Sequence, residues 1–195
     1  MISICIPYIR DEGFDRCVEA LKRNNGDIEY EIISEKDVNR IGCPLMLKKL
    51  VNNAKYSYIM FLADDVVPQK DMLINAVGKM YEFEDEWGLV GLNDGFISGD
   101  KHATHWVAHK KLLEHLDGEF FHTGYKHCYC DNELALRVQQ INRYKYAENA
   151  RLIHMHPIVQ KDNSLTDKDY MRVYSQQYLY HDEQLFLKRK NNNWK

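Results

Sequence analysis

At 195 residues the chain has the length of one domain or a little more, enough to bury a core without staples. Hydrophobic residues make up 45% and charged residues 28%, with ten glycines and four prolines. That composition excludes a disordered or collagen-like polymer. The formal charge of −3 lacks the basic excess of a duplex-DNA binder, so no nucleic-acid partner is expected. The longest apolar stretch, Tyr56 to Ala63, is far short of the roughly 20 residues that span a bilayer. Met1-Ile2-Ser3-Ile4 runs straight into a strand-like segment, with no basic leader and no cleavage signal. The five cysteines are an odd number, with Cys5 and Cys17 at core-like positions. Reduced thiols and a cytoplasmic location are therefore expected.

Ile2 to Pro7 is an apolar run closed by proline and reads as a buried strand. Asp11 to Asn24 follows with Phe14, Cys17, Val18 and Leu21 at helical spacing, and Asn25-Gly26 is a helix stop. Tyr30 to Ser34 reads as a second strand. Leu45 to Ala54 reads as a helix with Leu47, Leu50, Val51 and Ala54 on one face. Tyr58 to Leu62 is the third and most apolar strand, ending abruptly at Ala63-Asp64-Asp65. Strand, helix, strand, helix, strand within about 65 residues predicts a doubly wound α/β sheet with parallel strands. In such sheets ligands bind beyond the carboxyl ends of the strands. Here those ends carry Tyr8 and Arg10, Glu35 and Asp37, and Asp64 and Asp65.

In the second half, Met72 to Phe83 reads as a helix, and Leu89 to Leu92 as a strand entering the loop Asn93-Asp94-Gly95. Thr104 to Leu116 begins as a strand and becomes a helix. Tyr129 to Ile141 is a helix with Leu134, Leu136 and Val138 inside, and Arg151 to Met155 a last strand. Leu165 to Lys188 reads as one long helix with Tyr170, Tyr174 and Tyr178 four residues apart. Its tyrosines precede Lys188-Arg189-Lys190, a pattern that can dock on anionic lipid. Asp167, Asp169, Asp182 and Glu183 dilute that charge, so packing on the domain or against a second copy in a homodimer is favoured over membrane contact.

Adjacent carboxylates at Asp64-Asp65 after a buried strand repel and lose solvation unless a positive group joins them. A divalent cation bridging to phosphates is one such partner. Capping of the helix beyond Pro68 is the other reading. His154 and His156 lie two apart, which on a strand puts both on one face, and they read either as ligands or as a surface pair before Pro157. His122, His127, Cys128 and Cys130 hold zinc-ligand chemistry at a spacing unlike the usual frameworks, so core cysteines and loop histidines are preferred.

The segment YSYIMFLADDVVPQKDML resembles the hydrophobic strand, x-D-D, proline motif of GT-A-fold glycosyltransferases, family 2-like ones in particular. ISICIPYIR resembles that family's first strand, which ends at proline where the nucleotide pocket begins. CDNELALRV is similar to its E-D-x-x-L-x-x-R helix start, and AENARLIHMHP resembles the strand that delivers a metal-binding histidine. The four motifs stand in the family's order over roughly residues 1–157.

The resemblance implies a GT-A-like fold, with a mostly parallel central sheet flanked by helices and a C-terminal helix. It divides the chain into a catalytic domain over 1–160 and a helical extension over 161–195. The nucleotide-binding half is placed at about 1–92 and the acceptor half at about 93–160. The implied activity is a metal-dependent, inverting glycosyltransferase that uses Mn²⁺ or Mg²⁺. It moves a sugar from a UDP- or GDP-linked donor to a hydroxyl on a glycan or glycoprotein.

By the same resemblance Asp65 is a metal ligand, with Asp64 on the ribose or a metal-bound water. One or both of His154 and His156 complete the metal shell. Asp131 is the general base, with Glu133 the fallback, although acids in a first helical turn also suit the macrodipole. Pro7, Tyr8 and Arg10 belong to the nucleotide pocket, as does an acid after the second strand, Glu35 or Asp37, either of which reads equally as a solvated loop acid. Lys161 and Arg40 read either as ordinary surface cations, the preferred reading, or as further phosphate partners. The polar run Lys161 to Ser164 could close over the donor as a lid. His102, His105 and Trp106 fall near the acceptor, with Trp106 equally a core residue. Ala63 departs from the pattern, standing where many relatives carry a first aspartate. Two rivals remain: a non-catalytic nucleotide- or sugar-binding module, and a nucleotidyltransferase, whose Gly-rich basic loop the segment YIRDEG does not supply.

Overall fold

Residues 1–24, 27–96 and 101–195 are described by the computed structural model; the helix stop read at Asn25-Gly26 lies outside them. Strand β1 (Ile2–Tyr8) is buried at all but its last position and pairs in parallel with β2 (Tyr30–Lys36) and β3 (Tyr58–Phe61). Between them run α1 (Asp11–Asn24) and α2 (Cys43–Asn52). Acids in the first turn of α1 and Lys22 and Arg23 in its last complement the helix dipole. Pro44 sits in the first turn of α2, where its missing N–H costs no hydrogen bond.

Next come β4 (Val66–Pro68), α3 (Met72–Met80), β5 (Leu89–Asn93) and β6 (Trp106–His109). The strand expected from Thr104 is thus shorter, and a 3₁₀ turn over Lys110–His115 follows it. Helix α4 (Cys130–Gln140) and β7 (Tyr144–His154) complete the sheet region. The strand order is β2-β1-β3-β6-β5-β7-β4. Only β6 and β4 run against the others, so the sheet is mostly parallel.

The pleat assigns each side chain to a face. Cys5, Ile59 and Phe61 join one core, with Leu47, Trp106, Phe121 and Leu134. Ile4, Ile6, Met60 and Leu62 join the other, with Cys17, Leu21 and Leu73. Trp106 is fully buried, its ring 4.7 Å from Phe120 and 5.7 Å from Phe61. It is a core residue rather than an acceptor platform.

The long C-terminal helix is not formed. Beyond α5 (Pro157–Gln160) and a 3₁₀ turn at Asn163–Leu165, the segment splits into α6 (Lys168–Val173) and α7 (Gln176–Asn191). Each begins on its own cap. Asp167 accepts the Tyr170 N–H at 2.7 Å and Ser175 that of Tyr178 at 3.4 Å, which satisfies first-turn donors and resets the helix axis. The basic end of α7 is not a free patch either, because Arg189 is buried and paired with Glu133 at 2.8 Å. Among the described residues no helix is long and apolar enough to cross a membrane.

Asp182 of α7, wholly buried, accepts the backbone N–H groups of Lys126, His127 and Cys128, each at 2.8 Å. The C-terminal helix thereby shapes the loop that enters α4. Asp182→Ala leaves three part-exposed loop N–H groups without this acceptor, and the expected loss is about 1–3 kcal/mol, read as a lower urea midpoint. An unchanged midpoint would contradict this reading.

Candidate active site

Beyond the carboxyl ends of β1, β2 and β3 lies a cleft of about 330 Å³. It brings together Pro7, Tyr8, Arg10, Asp37, Asp64, Asp65, Asp131, His154 and His156 from the sequence reading, and α6 closes its far side with Tyr170 and Tyr174. Glu35, Arg40, Glu133 and Lys161 are not among its lining residues. Glu35 pairs with Lys49 at 2.5 Å, and Lys161 is exposed at the end of α5. The segment over the cleft is residues 169–174, not the expected lid at Lys161 to Ser164.

Glu133 is 3% exposed and accepts from the Tyr125 hydroxyl at 2.8 Å and from Arg189 at 2.8 and 2.9 Å. Burial works against its ionisation, but the Arg189 and Tyr125 hydrogen bonds outweigh that and lower its pKa. A carboxylate clamped in this way holds α7 to α4 and is no base for a substrate in the cleft.

Several acids in the cleft organise its loops. Asp64 accepts the N–H groups of Ile9 and Arg10 at 2.7 and 2.8 Å, and its other oxygen meets the Arg10 guanidinium at 3.1 Å. The carboxylate thus secures the turn after β1 instead of capping the helix beyond Pro68. A Cβ on Gly13 would lie 2.3 Å from the Asp64 carbonyl oxygen, so only glycine admits this approach. Asp37 accepts from the N–H groups of Ile41 and Gly42, both at 2.9 Å. The two arginines read as candidate phosphate partners are engaged by α6: Arg10 with Asp167 at 2.5 and 3.1 Å, and Arg40 with Asp169 at 2.8 and 3.0 Å.

At the inner end of the cleft, Asp65, His105 and His154 each present a ligand atom within 4.8 Å of the others. His154 Nε2 stands 3.5 Å from Asp65 Oδ2. His154 Nδ1 comes within 3.3 Å of Asp94 Oδ2 but off-axis, so it makes no hydrogen bond. The buried Asp65 Oδ1 also lacks a partner. The partnerless Asp65 Oδ1, beside the imidazoles of His105 and His154, gives a donor set suited to a divalent transition-metal ion. Three carboxylates, the buried Asp64 and Asp94 and the half-buried Asp65, share this corner with the Arg10 guanidinium and His154, an excess of negative charge that a divalent cation would offset.

His156 does not join the cluster. β7 ends at His154, so the two-residue alternation fails beyond it. His156 Nδ1 instead accepts the Ile158 N–H at 3.3 Å as the cap of α5, and Nε2 lies 3.1 Å from the Tyr174 hydroxyl. Burial and the nearby His154 push its pKa down to about 4. The His122, His127, Cys128, Cys130 group is no zinc site. Cys130 Sγ faces the His127 carbonyl at 3.1 Å, His122 Nδ1 accepts the Gly124 N–H at 3.1 Å, and His127 sits edge-on to Tyr174.

Burial alone would discharge His154, yet Asp65 and Asp94 raise its pKa to about 10. Burial likewise opposes ionisation of Asp65, and His154 and His105 overcome it and hold the carboxyl below the usual range. His154 is thus raised above its unfolded value of about 6.5. Without metal, its contribution to stability is full below about pH 6.5 and is lost as pH climbs through about 10. A metal must expel that proton. Calorimetry in two buffers of different ionisation heat is expected to show about one proton released per Mn²⁺ at pH 7.5, with affinity rising with pH. Release of no proton would contradict it.

The remaining wall carries Asp131 in the first turn of α4. One of its oxygens accepts the Asn132 N–H at 2.9 Å, and the other lies 3.4 Å from the Thr104 hydroxyl. Asn132 in turn meets His102 Nε2 at 3.0 Å.

No family model matches the sequence, and no curated protein matches it. Solved structures do. Residues 1–349 of S. aureus TarS in complex with UDP-GlcNAc match with a TM-score of 0.60 at 12% identity, over 78% of this chain and 57% of that one. The same protein with UDP gives 0.62 at 14%, over 96% and 71%. The mannosyltransferase PcManGT from Pyrobaculum calidifontis, with GDP-Man and Mn²⁺, gives 0.68 at 14%, over 96% and 64%. The chain thus spans somewhat more than half the length of the TarS fragment bound to UDP-GlcNAc. At these identities the likeness is one of fold, and that fold is the GT-A-like fold of glycosyltransferases.

Proposed function

We propose that the chain is a metal-dependent, inverting glycosyltransferase that moves a sugar from a nucleoside-diphosphate donor to a hydroxyl acceptor. One observation carries this: the Asp65, His105, His154 cluster and Asp131 line the same cleft at the carboxyl ends of the strands. The structural neighbours with UDP-GlcNAc and with GDP-Man and Mn²⁺ support the donor class.

Asp65, His105 and His154 would hold the ion, which when bound acts as a Lewis acid on the departing diphosphate. Two imidazoles and one carboxylate suit Mn²⁺ better than Mg²⁺, whose preferred ligands are oxygens. Tyr8, its ring stacked on Phe14 at 4.3 Å, gives a braced aromatic face for the base. Arg10 meets the phosphates by exchanging Asp167. Such a part-exposed ion pair is worth up to about 1 kcal/mol, weak enough for a diphosphate to displace. Asp131 takes the acceptor hydroxyl's proton as that oxygen attacks the anomeric carbon.

A thermal-shift panel of nucleotide sugars with Mn²⁺, followed by turnover assays on the donors that bind, tests the reading. Metal-dependent stabilisation by a UDP- or GDP-linked sugar, with transfer or slow donor hydrolysis, is expected. Binding without turnover would leave a nucleotide-binding module, and no metal-dependent binding would remove both.

A further inference from the structure

Asp94 has no place in the roles above, yet it is one of the most completely enclosed charges in the molecule, at 2% exposure. It follows β5, and β5 lies between β6 and β7 in the sheet. Because β6 is antiparallel to β5, the residue just before β6, His105, returns to the same sheet edge at which β5 and β7 end. One side chain there can reach the imidazoles of both neighbouring strands. Asp94 does so: Oδ2 hydrogen-bonds with His105 Nδ1 at 3.0 Å and comes to 3.3 Å from His154 Nδ1, where a small turn of the ring onto the hydrogen-bond axis completes the second bond. Its other oxygen accepts the Phe96 N–H at 3.1 Å, which fixes the carboxylate plane. Among the described residues no lysine or arginine pairs with it.

We propose that Asp94 is a positioning residue: one carboxylate that holds the Nδ1–H tautomer of both His105 and His154 and so turns both Nε2 lone pairs toward a shared ion. The proposal rests on the metal-dependent reading above and adds to it the residue that sets the ligands. A neutral imidazole donates at one nitrogen and accepts at the other. An acceptor fixed at Nδ1 therefore commits Nε2 to the metal, and such outer partners also raise ligand basicity. His154 already has this orientation, with Nδ1 toward Asp94 and Nε2 toward Asp65. Burying a carboxylate without a permanent cation is costly. A purely structural acid in this corner would be served better by an arginine than by two imidazoles.

The test reads Mn²⁺ uptake by the full chain, without donor, from the electron paramagnetic resonance of free Mn²⁺. Asp94→Asn has one acceptor oxygen where the aspartate uses two: with the amide oxygen toward the imidazoles its N–H₂ opposes the Phe96 N–H, and with the amide turned over its N–H₂ opposes both Nδ1–H groups. It is expected to weaken Mn²⁺ binding by about 10- to 100-fold while the circular dichroism of the fold is kept. Binding within about threefold of wild type, far below the usual effect of such partners, overturns the proposal while leaving the metal reading intact. Wild type that takes up no Mn²⁺ overturns both. Should Asp94→Asn not fold, ¹⁵N spectra of the wild-type imidazoles with diamagnetic Cd²⁺ decide the matter. Both rings must carry the proton on Nδ1 and the ion on Nε2, and a proton on Nε2 of either ring overturns the proposal.

Discussion

Asp65→Ala is expected to abolish Mn²⁺-dependent donor binding. Asp65 supplies the one carboxylate of the candidate ligand set, and two imidazoles left behind cannot offset the charge of the ion or hold it against water. The loss of Mn²⁺ affinity should exceed the roughly 10- to 100-fold typical of residues outside the ligand shell, and turnover should vanish with it. The fold should survive, because the main-chain contact at this position, the Met155 N–H to the Asp65 carbonyl at 2.7 Å, does not need the side chain. Removal of this neighbour also relieves Asp64, whose pKa is raised by burial and then by Asp65, so the turn after β1 keeps its anchor. Calorimetry with Mn²⁺ first and UDP or GDP second separates the steps. Metal-dependent nucleotide binding that persists in Asp65→Ala would move the metal centre elsewhere.

The first half of the fold was legible because its signals are local. Asp11–Asn24 and Tyr58–Phe61 appear within a residue of where their periodicity placed them, and β1 and β3 are apolar at nearly every position because both faces are covered. Legibility failed where tertiary contacts decide. β4 is only three residues and exists by pairing with the end of β7. The front of β7, Tyr144 to Glu148, is too polar to read as a strand, and its pairing with β5 also shifts register after Leu92. The break between α6 and α7 carried a visible signal: Asp167 and Ser175 are good capping residues, but the tyrosine spacing of four masked them.

In the site, Asp65 and His154 could be picked out as members of the family motifs, far apart in the chain. His105 and Asp94 could not. A histidine before a short strand and an aspartate in Asn93-Asp94-Gly95 look like acceptor-loop and turn residues. Only the order β6-β5-β7 brings them beside His154. His156 was misplaced for the converse reason: alternation holds while the strand lasts, and β7 stops two residues before it.

Asp131→Asn should separate chemistry from binding. The substitution is isosteric, and its carbonyl oxygen can still accept the Asn132 N–H that the aspartate holds at 2.9 Å, so α4 keeps its first turn. Asp131 is not in the metal group, so Mn²⁺ and donor affinities should stay near wild type. Turnover should fall by about 10²- to 10⁴-fold, the usual contribution of a general base. The other acids nearby are poor substitutes. Glu133 is clamped by Arg189 and Tyr125, and Asp37 already accepts two loop N–H groups. Near-wild-type turnover in Asp131→Asn would therefore shift the search to an imidazole on the same wall. His127 is the one to try next, since its burial lowers its pKa and keeps it neutral and able to accept a proton.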